Sequence, residues 1–375
     1  MQKFLVKSDI YFGADAVDWI DSLRKKKAFI VTDEMMVKIK AVDQITDKLE
    51  KSGIKYDIFS QVKPDPSYET VALGVKALKE FSPDLVVAIG GGSSIDTAKS
   101  ILYSLWQISE KAGEKFEKPL FVAVPTTSGT GSEVTSFAIV TIGSSKLALV
   151  DDWLIPDVAL VDSQFVSSVP PAVTADTGLD VLCHALEAYV STDASDFTDA
   201  LSEKAVKLVF DYLPEAYHDG TNKTAREKMH NASCMAGIGF SNASLGLIHS
   251  MAHALGGAFH IPHGRANAIL MPYVISYNAG NSSVAKKRYS DMAETLGLRA
   301  ESPEQGCDLL IKGINALKAI MGVPMNISQA GVSREELEAR LDEMAENAIN
   351  DRCTPTNPCQ PVMEDIKCLY RRAFE

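Results

Sequence analysis

The 375-residue chain is expected to fold as an α/β domain, built on a parallel sheet covered on both faces, followed by an all-helical domain. Three observations predict this. Before residue 169, short continuous apolar segments alternate with segments of helical periodicity, the pattern of parallel strands joined by crossover helices. From Val169-Pro170-Pro171 onward, almost everything reads as helix. The length suits two cores better than one. The boundary is placed there, giving domains 1–169 and 170–375.

Taken in order, residues 4–12 alternate weakly and read as an edge strand or hairpin arm. Lys27-Ala28-Phe29-Ile30-Val31-Thr32-Asp33 reads as a buried strand ending on an acid. A helix is expected over 36–52, a strand at Tyr56-Asp57-Ile58-Phe59, and a loop at Lys63-Pro64-Asp65-Pro66. A helix opening on a capping sequence is expected over 67–81. Leu85-Val86-Val87-Ala88-Ile89 and Leu120–Pro125 are continuous apolar strands, and a further strand is expected at Lys146–Val150. In the second half, helices are expected over 171–191, 196–216, 223–240, 243–255, 264–278, 283–297, 303–321, 333–346 and 361–372. The turn-rich loop Asp351-Arg352-Cys353-Thr354-Pro355-Thr356-Asn357-Pro358-Cys359 reads as structural.

Two loops carry chemistry in the first half. The strand at 85–89 runs straight into Gly90-Gly91-Gly92-Ser93-Ser94-Ile95-Asp96-Thr97-Ala98-Lys99. Glycines allow close approach to a ligand, and the free N–H groups and positive dipole end of the following helix suit a phosphate. The sequence is neither GxGxxG nor a Walker loop, because no GK[ST] follows. The strand at 120–125 ends in Thr126-Thr127-Ser128-Gly129-Thr130-Gly131-Ser132-Glu133-Val134-Thr135, rich in hydroxyl donors. Two such loops at the carboxyl ends of two strands point to a nucleotide. Lys146 is read either as a solvated edge lysine or as reaching a ribose or phosphate.

The second half concentrates histidine. Four of the chain's seven histidines, His249, His253, His260 and His263, fall within fifteen residues. Asp180 and His184 are spaced i, i+4 and share a helix face, as do His249 and His253. His263 would stand about 21 Å from His249 on an unbroken helix. Breaks are available at Gly256-Gly257 and Pro262, so the chain can fold back. The candidate ligand set is therefore Asp180, His184, His249 and His263, with His253 nearby. A carboxylate with three imidazoles and no thiolate suits Fe(II) or Zn(II).

Composition narrows the partners. A net charge of −12 argues against nucleic acid and anionic membranes. No stretch approaches a transmembrane span, and Met1–Asp9 lacks the apolar core of a signal peptide. Six cysteines without CxxC pairing are expected to be reduced thiols in a cytoplasm.

With these residues assembled, the chain resembles the iron-containing (group III) alcohol dehydrogenase family over essentially its whole length. The resemblance rests on Gly90–Ser93 with Asp96 and Lys99, on Thr126–Thr135, on Gly178-Leu179-Asp180 with His184, on His249 through His263-Gly264, and on Cys353–Pro358. Within the family, the segments Ala194–Leu201 and Lys228–Ser233 look most like the propanol dehydrogenases of propanediol-utilising bacteria. The fold implied is a Rossmann-like parallel-sheet nucleotide-binding domain with an all-helical metal-binding domain. The resemblance implies Asp180, His184, His249 and His263 around Fe(II), or Zn(II) in some members. It implies Gly91, Gly92 and Ser93 at the pyrophosphate, with Asp96 in the same motif. Thr126, Thr127 and Lys146 would lie towards the nicotinamide ribose, and Asp33 at the adenine ribose, favouring NAD(H) over NADP(H). Asp65 stands where many relatives carry Asn. His253 would relay a proton. The substrate implied is a small aliphatic alcohol or aldehyde such as propanal, and the assembly a homodimer or larger homo-oligomer, cytoplasmic or enclosed in a bacterial microcompartment. Glycerol dehydrogenases and dehydroquinate-synthase-like lyases look similar in architecture but lack the four-ligand spacing. A metal- and nucleotide-binding module without turnover is the reading from outside enzymology, and NADH absorbance with propanal, then glycerol, separates the three.

Overall fold

The computed structural model describes residues 3–143 and 145–375, with the backbone alone of Ser145 and Lys146. The Cα trace divides into two compact units, Leu5–Ser168 and Val169–Glu375, the latter joined by the extreme N-terminus. Phe4 stacks on Phe197 with ring centroids 5.3 Å apart, so it groups with the helical unit and not with the sheet.

The α/β unit runs β1 (Asp9–Phe12), β2 (Lys27–Asp33), α1 (Glu34–Lys38), α2 (Asp43–Lys51), β3 (Lys55–Val62), α3 (Tyr68–Phe81), β4 (Leu85–Gly90), α4 (Gly92–Ala112), β5 (Leu120–Pro125), β6 (Phe137–Ile142), β7 (Ser145–Val150) and β8 (Val158–Val161). Six strands form one parallel sheet in the order β1-β8-β5-β4-β2-β3, and β6 pairs antiparallel with β7. Alternate residues of each strand feed opposite faces. In β4, Leu85, Val87 and Ile89 join the core under α2, while Val86 and Ala88 join the core under α3 and α4. That double burial is why the strand reads as an unbroken apolar run rather than an alternating one.

Three expectations are settled or corrected here. The helix expected over 36–52 is two helices, because Lys40 adopts a left-handed backbone (φ 62) and the Ala41 N–H returns to the Met36 carbonyl. The N-terminal segment yields one edge strand, not a hairpin arm. Strands β6 and β8 were not anticipated; β8 is only four residues long, too short to carry a period.

The helical unit comprises α5 (Pro171–Val190), α6 (Asp196–His218), α7 (Lys223–Ala243), α8 (Leu247–Phe259), α9 (His263–Asn281), α10 (Ser283–Thr295), α11 (Pro303–Ile320), α12 (Arg334–Ile349) and α13 (Met363–Phe374). One continuous core joins them, with α5 buried over most of its length. A helix so enclosed must satisfy every polar group it carries. Its polar residues Asp180, His184 and Glu187 therefore mark a built site rather than a solvated face. No described helix is long and apolar enough to cross a membrane.

Candidate metal centre and nucleotide cradle

Three helices deliver the metal candidates. Asp180 and His184 come from one face of α5, His249 from the first turn of α8, and His263 from the first residue of α9. One ligand atom from each of the four lies within 4.8 Å of all the others. The fold-back that achieves this differs in detail from expectation. Gly256 and Gly257 stay inside α8; the break falls at His260, whose left-handed backbone (φ 55) closes the helix with its N–H on the Gly256 carbonyl. Pro262 then precedes the first turn of α9. His260 thus acts as a helix terminator and makes no contribution to the donor cluster.

Close approach of α9 to α5 depends on Gly264. A Cβ there would lie 2.0 Å from the Asp176 carbonyl oxygen. Beside it, Arg265 clamps Asp176 through two hydrogen bonds of 3.1 and 3.0 Å. Together they hold His263 Nε2 3.5 Å from Asp180 Oδ1, and His249 Nε2 lies 3.7 Å from the same oxygen. Those spacings fit donors that share one cation, as does the chemistry of three imidazoles with a carboxylate.

The electrostatics favour a neutral His249. Burial, followed by the neighbouring His184, His263 and His253 rings, pushes His249 well below the usual histidine range. Its Nδ1 lies 2.5 Å from Glu187 Oε2, and Nε2 on the far side of the ring faces the donor cluster. Glu187 is itself fully enclosed, and burial, partly offset by N–H donors from Ile248, Gly246 and His249, raises its carboxyl to about 8. Burial also drives the Cys183 thiol, which with Glu187 and His249 forms a second, adjoining group of donors, well above its ordinary range.

His253 sits one turn after His249, stacked on His263 with centroids 5.2 Å apart and rings 14° from parallel. Its Nδ1 pairs with Asp351 Oδ2 at 2.9 Å. Burial would raise Asp351, but the hydrogen bond and charge of His253 outweigh it and bring the carboxyl down to about 2. The loop carrying Asp351 also binds α8 elsewhere. Ser250 donates to Asp351 Oδ1, Thr354 donates to Ser250, and the Leu247 N–H donates to Asn357.

The α/β unit gathers its candidates at the carboxyl ends of neighbouring strands. The chain leaves β2 for β3 on one side and returns to β4 on the other, so a topological switch point falls between β2 and β4. Asp33 ends β2 and Gly90 ends β4. The backbone at Gly90 has φ 151, and a Cβ would lie 2.3 Å from Ser94 Oγ. Gly91 and Gly92 then open α4, with Ser93 in its first turn. Asp33 Oδ1 accepts from the Met35 and Met36 N–H groups, and its Oδ2 takes a bond from Ser94 at 3.4 Å. Thr126 is tied to the cradle by its N–H on the Gly90 carbonyl, and Thr127 follows, partly exposed. Asp96 faces inward. Its two oxygens accept from Ser132 Oγ at 2.6 Å and the Ile139 N–H at 3.1 Å, so it binds the second loop to α4. Asp65 lies exposed in the loop after β3, in a left-handed conformation (φ 54). The backbone of Lys146 pairs with Thr141 in β7; its side chain lies outside the described residues.

Three residues of the helical unit escaped the sequence reading: Glu187, Asn267 and Asp351. Glu187 lies three residues after His184 and Asn267 four after His263, spacings that put each on its ligand's helix face. Nothing in the sequence pairs Asp351 with His253, 98 residues away.

A glycine-rich strand-to-helix turn in the α/β unit and a cluster of three histidines and one carboxylate in the helical unit are features that suit a nucleotide and a metal ion. Family profiles sharpen that reading. "Iron-containing alcohol dehydrogenase" matches residues 7–163, and "Fe-containing alcohol dehydrogenase family, C-terminal" matches residues 174–374. The chain is 39% identical to the NADPH-dependent butanol dehydrogenase of Clostridium saccharobutylicum, covering 100% of this chain and 98% of that one. It is 41% identical to the 1-propanol dehydrogenase PduQ of Citrobacter freundii, covering 96% of each. It superimposes on the alcohol dehydrogenase of Oenococcus oeni with a TM-score of 0.93 over 100% of both chains, at 33% identity. The chain belongs to the iron-containing alcohol dehydrogenase family, and its chemistry is the interconversion of an alcohol and its aldehyde.

Proposed function

We propose that this protein reduces a small aliphatic aldehyde, propanal or a near homologue, to its primary alcohol with NADH, and runs the reverse reaction with NAD. The observation that carries this reading is the convergence of Asp180, His184, His249 and His263 donor atoms within 4.8 Å. Those four would hold Fe(II), with Zn(II) as the other ion their chemistry accepts. When bound, the metal supplies a Lewis acid for the carbonyl oxygen and the nicotinamide supplies the hydride.

The chain's own residues bind, orient and move a proton. Gly91, Gly92 and Ser93 at the start of α4 take the pyrophosphate on main-chain N–H groups. Asp33 accepts from the adenine ribose and repels a 2′-phosphate, which supports NAD(H) although the butanol dehydrogenase relative uses NADPH. Thr126, Thr127 and Lys146 lie towards the nicotinamide ribose in this reading, and Asp65 and Asp96 complete the cofactor side. His253, held by Asp351, returns a proton to the oxygen of the nascent alcohol. The net change is RCHO + NADH + H⁺ to RCH₂OH + NAD⁺. The small substrate is supported by the butanol and 1-propanol dehydrogenase relatives. A homodimer or larger assembly in the cytoplasm completes the proposal, consistent with free cysteines throughout.

The test is anaerobic. Metal-stripped protein receives Fe(II) or Zn(II), and propanal reduction is followed with NADH and with NADPH. Turnover restored by Fe(II) with NADH supports every part of the reading; turnover with NADPH alone removes Asp33 from its role; none with either ion sinks the proposal.

A further inference from the structure

Asn267 is fully buried in the second turn of α9, one turn after His263. Its Nδ2 lies 2.7 Å from Asp180 Oδ1, 3.1 Å from His263 Nε2 and 3.2 Å from His249 Nε2. One amide nitrogen thus touches three of the four donor atoms, delivered by three different helices. The Asp180 oxygen accepts from the amide nitrogen, which therefore faces it. An NH₂ group has two hydrogens, and three lone pairs compete for them. Those are the lone pairs a cation would take.

The arrangement selects a state of the histidines. A donor at Nε2 of His249 and His263 is compatible only with rings that present a lone pair there. For His249 the opposite ring nitrogen lies against Glu187 Oε2, so each of its ring nitrogens has a polar partner on its own side. The amide oxygen, by contrast, has no hydrogen-bond partner among the described residues. A buried asparagine that leaves its own acceptor unmatched is not retained for its own satisfaction, and Asn is a poor choice for a helix interior. What it does satisfy is the convergence of the donor set.

We propose that Asn267 is a positioning residue for the metal centre: its amide keeps Asp180, His249 and His263 aimed at one point before an ion arrives and holds the Asp180 carboxylate afterwards, without itself being a ligand. This rests on the metal site proposed above and goes beyond it.

Two variants and one wild-type measurement test it. In Asn267→Leu the number and branching of side-chain heavy atoms are kept and the amide is lost; Asn267→Ala removes both. Metal-free protein is titrated with Co(II), with affinity read against a competing chelator and coordination read from d–d absorption. The expected result is Co(II) binding weakened about 10- to 100-fold in both variants, the usual cost of losing a ligand's supporting group. The spectrum at saturation should match the wild type, because all four ligands remain. Unchanged affinity in the variants overturns the proposal while leaving the metal site standing; a saturated spectrum with altered coordination overturns it by making Asn267 a ligand. Failure of the wild type to bind Co(II) overturns both. Independently of any variant, ¹⁵N shifts of the metal-free wild type should show Nε2 of His249 and His263 unprotonated and accepting a hydrogen bond; protonated Nε2 on either ring overturns the proposal.

Discussion

The nucleotide cradle is made mostly of main chain, whereas the metal centre is made of side chains. In the α/β unit, ligand-binding capacity comes from where strands end: Gly90–Gly92 expose N–H groups at a helix start, and Asp33 closes the neighbouring strand. In the helical unit, four candidate donors come from three helices and are held by neighbouring side chains. Glu187 serves His249, Asn267 serves three ligands at once, and Gly264 with Arg265 sets the approach of α9. A main-chain site tolerates change in side chains and depends on backbone shape. A side-chain site is sensitive to single atoms.

The largest expected effect follows directly. His263→Ala should abolish tight metal binding and, with it, activity, a loss beyond the ~10- to 100-fold seen when only a supporting group goes. Full activity with a full complement of metal would remove His263 from the ligand set and collapse the contrast. Gly264→Ala should come next. Its Cβ would meet the Asp176 carbonyl at 2.0 Å, and a main-chain oxygen inside a helix cannot swing aside. We expect a loss of ~3 kcal/mol in unfolding free energy and weakened metal retention. A thermal melt and metal content unchanged from wild type would show that α9 reaches α5 by some other accommodation.

The two sites also differ in how they could be read before the structure. The cradle is contiguous: strand, glycines and helix start follow one another in sequence, so residues 85–99 announce it. Asp180 with His184, and His249 with His253, announce themselves by helix spacing. The supports do not. Glu187 and Asn267 lie on readable helix faces, yet a lone buried Glu or Asn in an apolar helix has no signature until its partners are known. Asp351 is harder still, because loop closure over 98 residues leaves no periodicity. The division into two units was legible in the change of pattern at Val169. Strand β8 was not, being four residues long, nor was the break at Lys40, where a left-handed residue without glycine splits what its pattern made one helix.

The α/β unit also buries a carboxyl and an amine, Glu133 and Lys99. Burial raises the Glu133 carboxyl to about 7 despite Lys99 nearby, and lowers Lys99 to about 8. The folded chain therefore holds the Glu133 proton more tightly than the unfolded chain, whose carboxyl titrates near 4.5. The stability this contributes is complete below pH 4.5 and is lost as pH rises through about 7. It amounts to at most ~3.4 kcal/mol, at about 1.36 kcal/mol per pKa unit. Denaturation of Glu133→Gln across this window should show a flatter profile than the wild type; parallel profiles would mean the proton is not held.

The smallest effect is the sharpest test of the cradle. Asp33 does two jobs: it caps α1 through the Met35 and Met36 N–H groups, and in the proposed reading it meets the adenine ribose. Asp33→Ser keeps a side-chain oxygen for the cap, so unfolding free energy should change by less than ~0.5 kcal/mol. It removes the negative charge that repels a 2′-phosphate, so the NADH-to-NADPH preference in kcat/KM should fall about tenfold, or ~1.4 kcal/mol. If the preference holds while the helix is intact, main-chain shape alone sets cofactor choice and the cradle is even less dependent on side chains than argued here. If both stability and preference fall, the cap and the selectivity are one property of the same carboxylate, and the cradle, like the metal centre, hangs on single atoms.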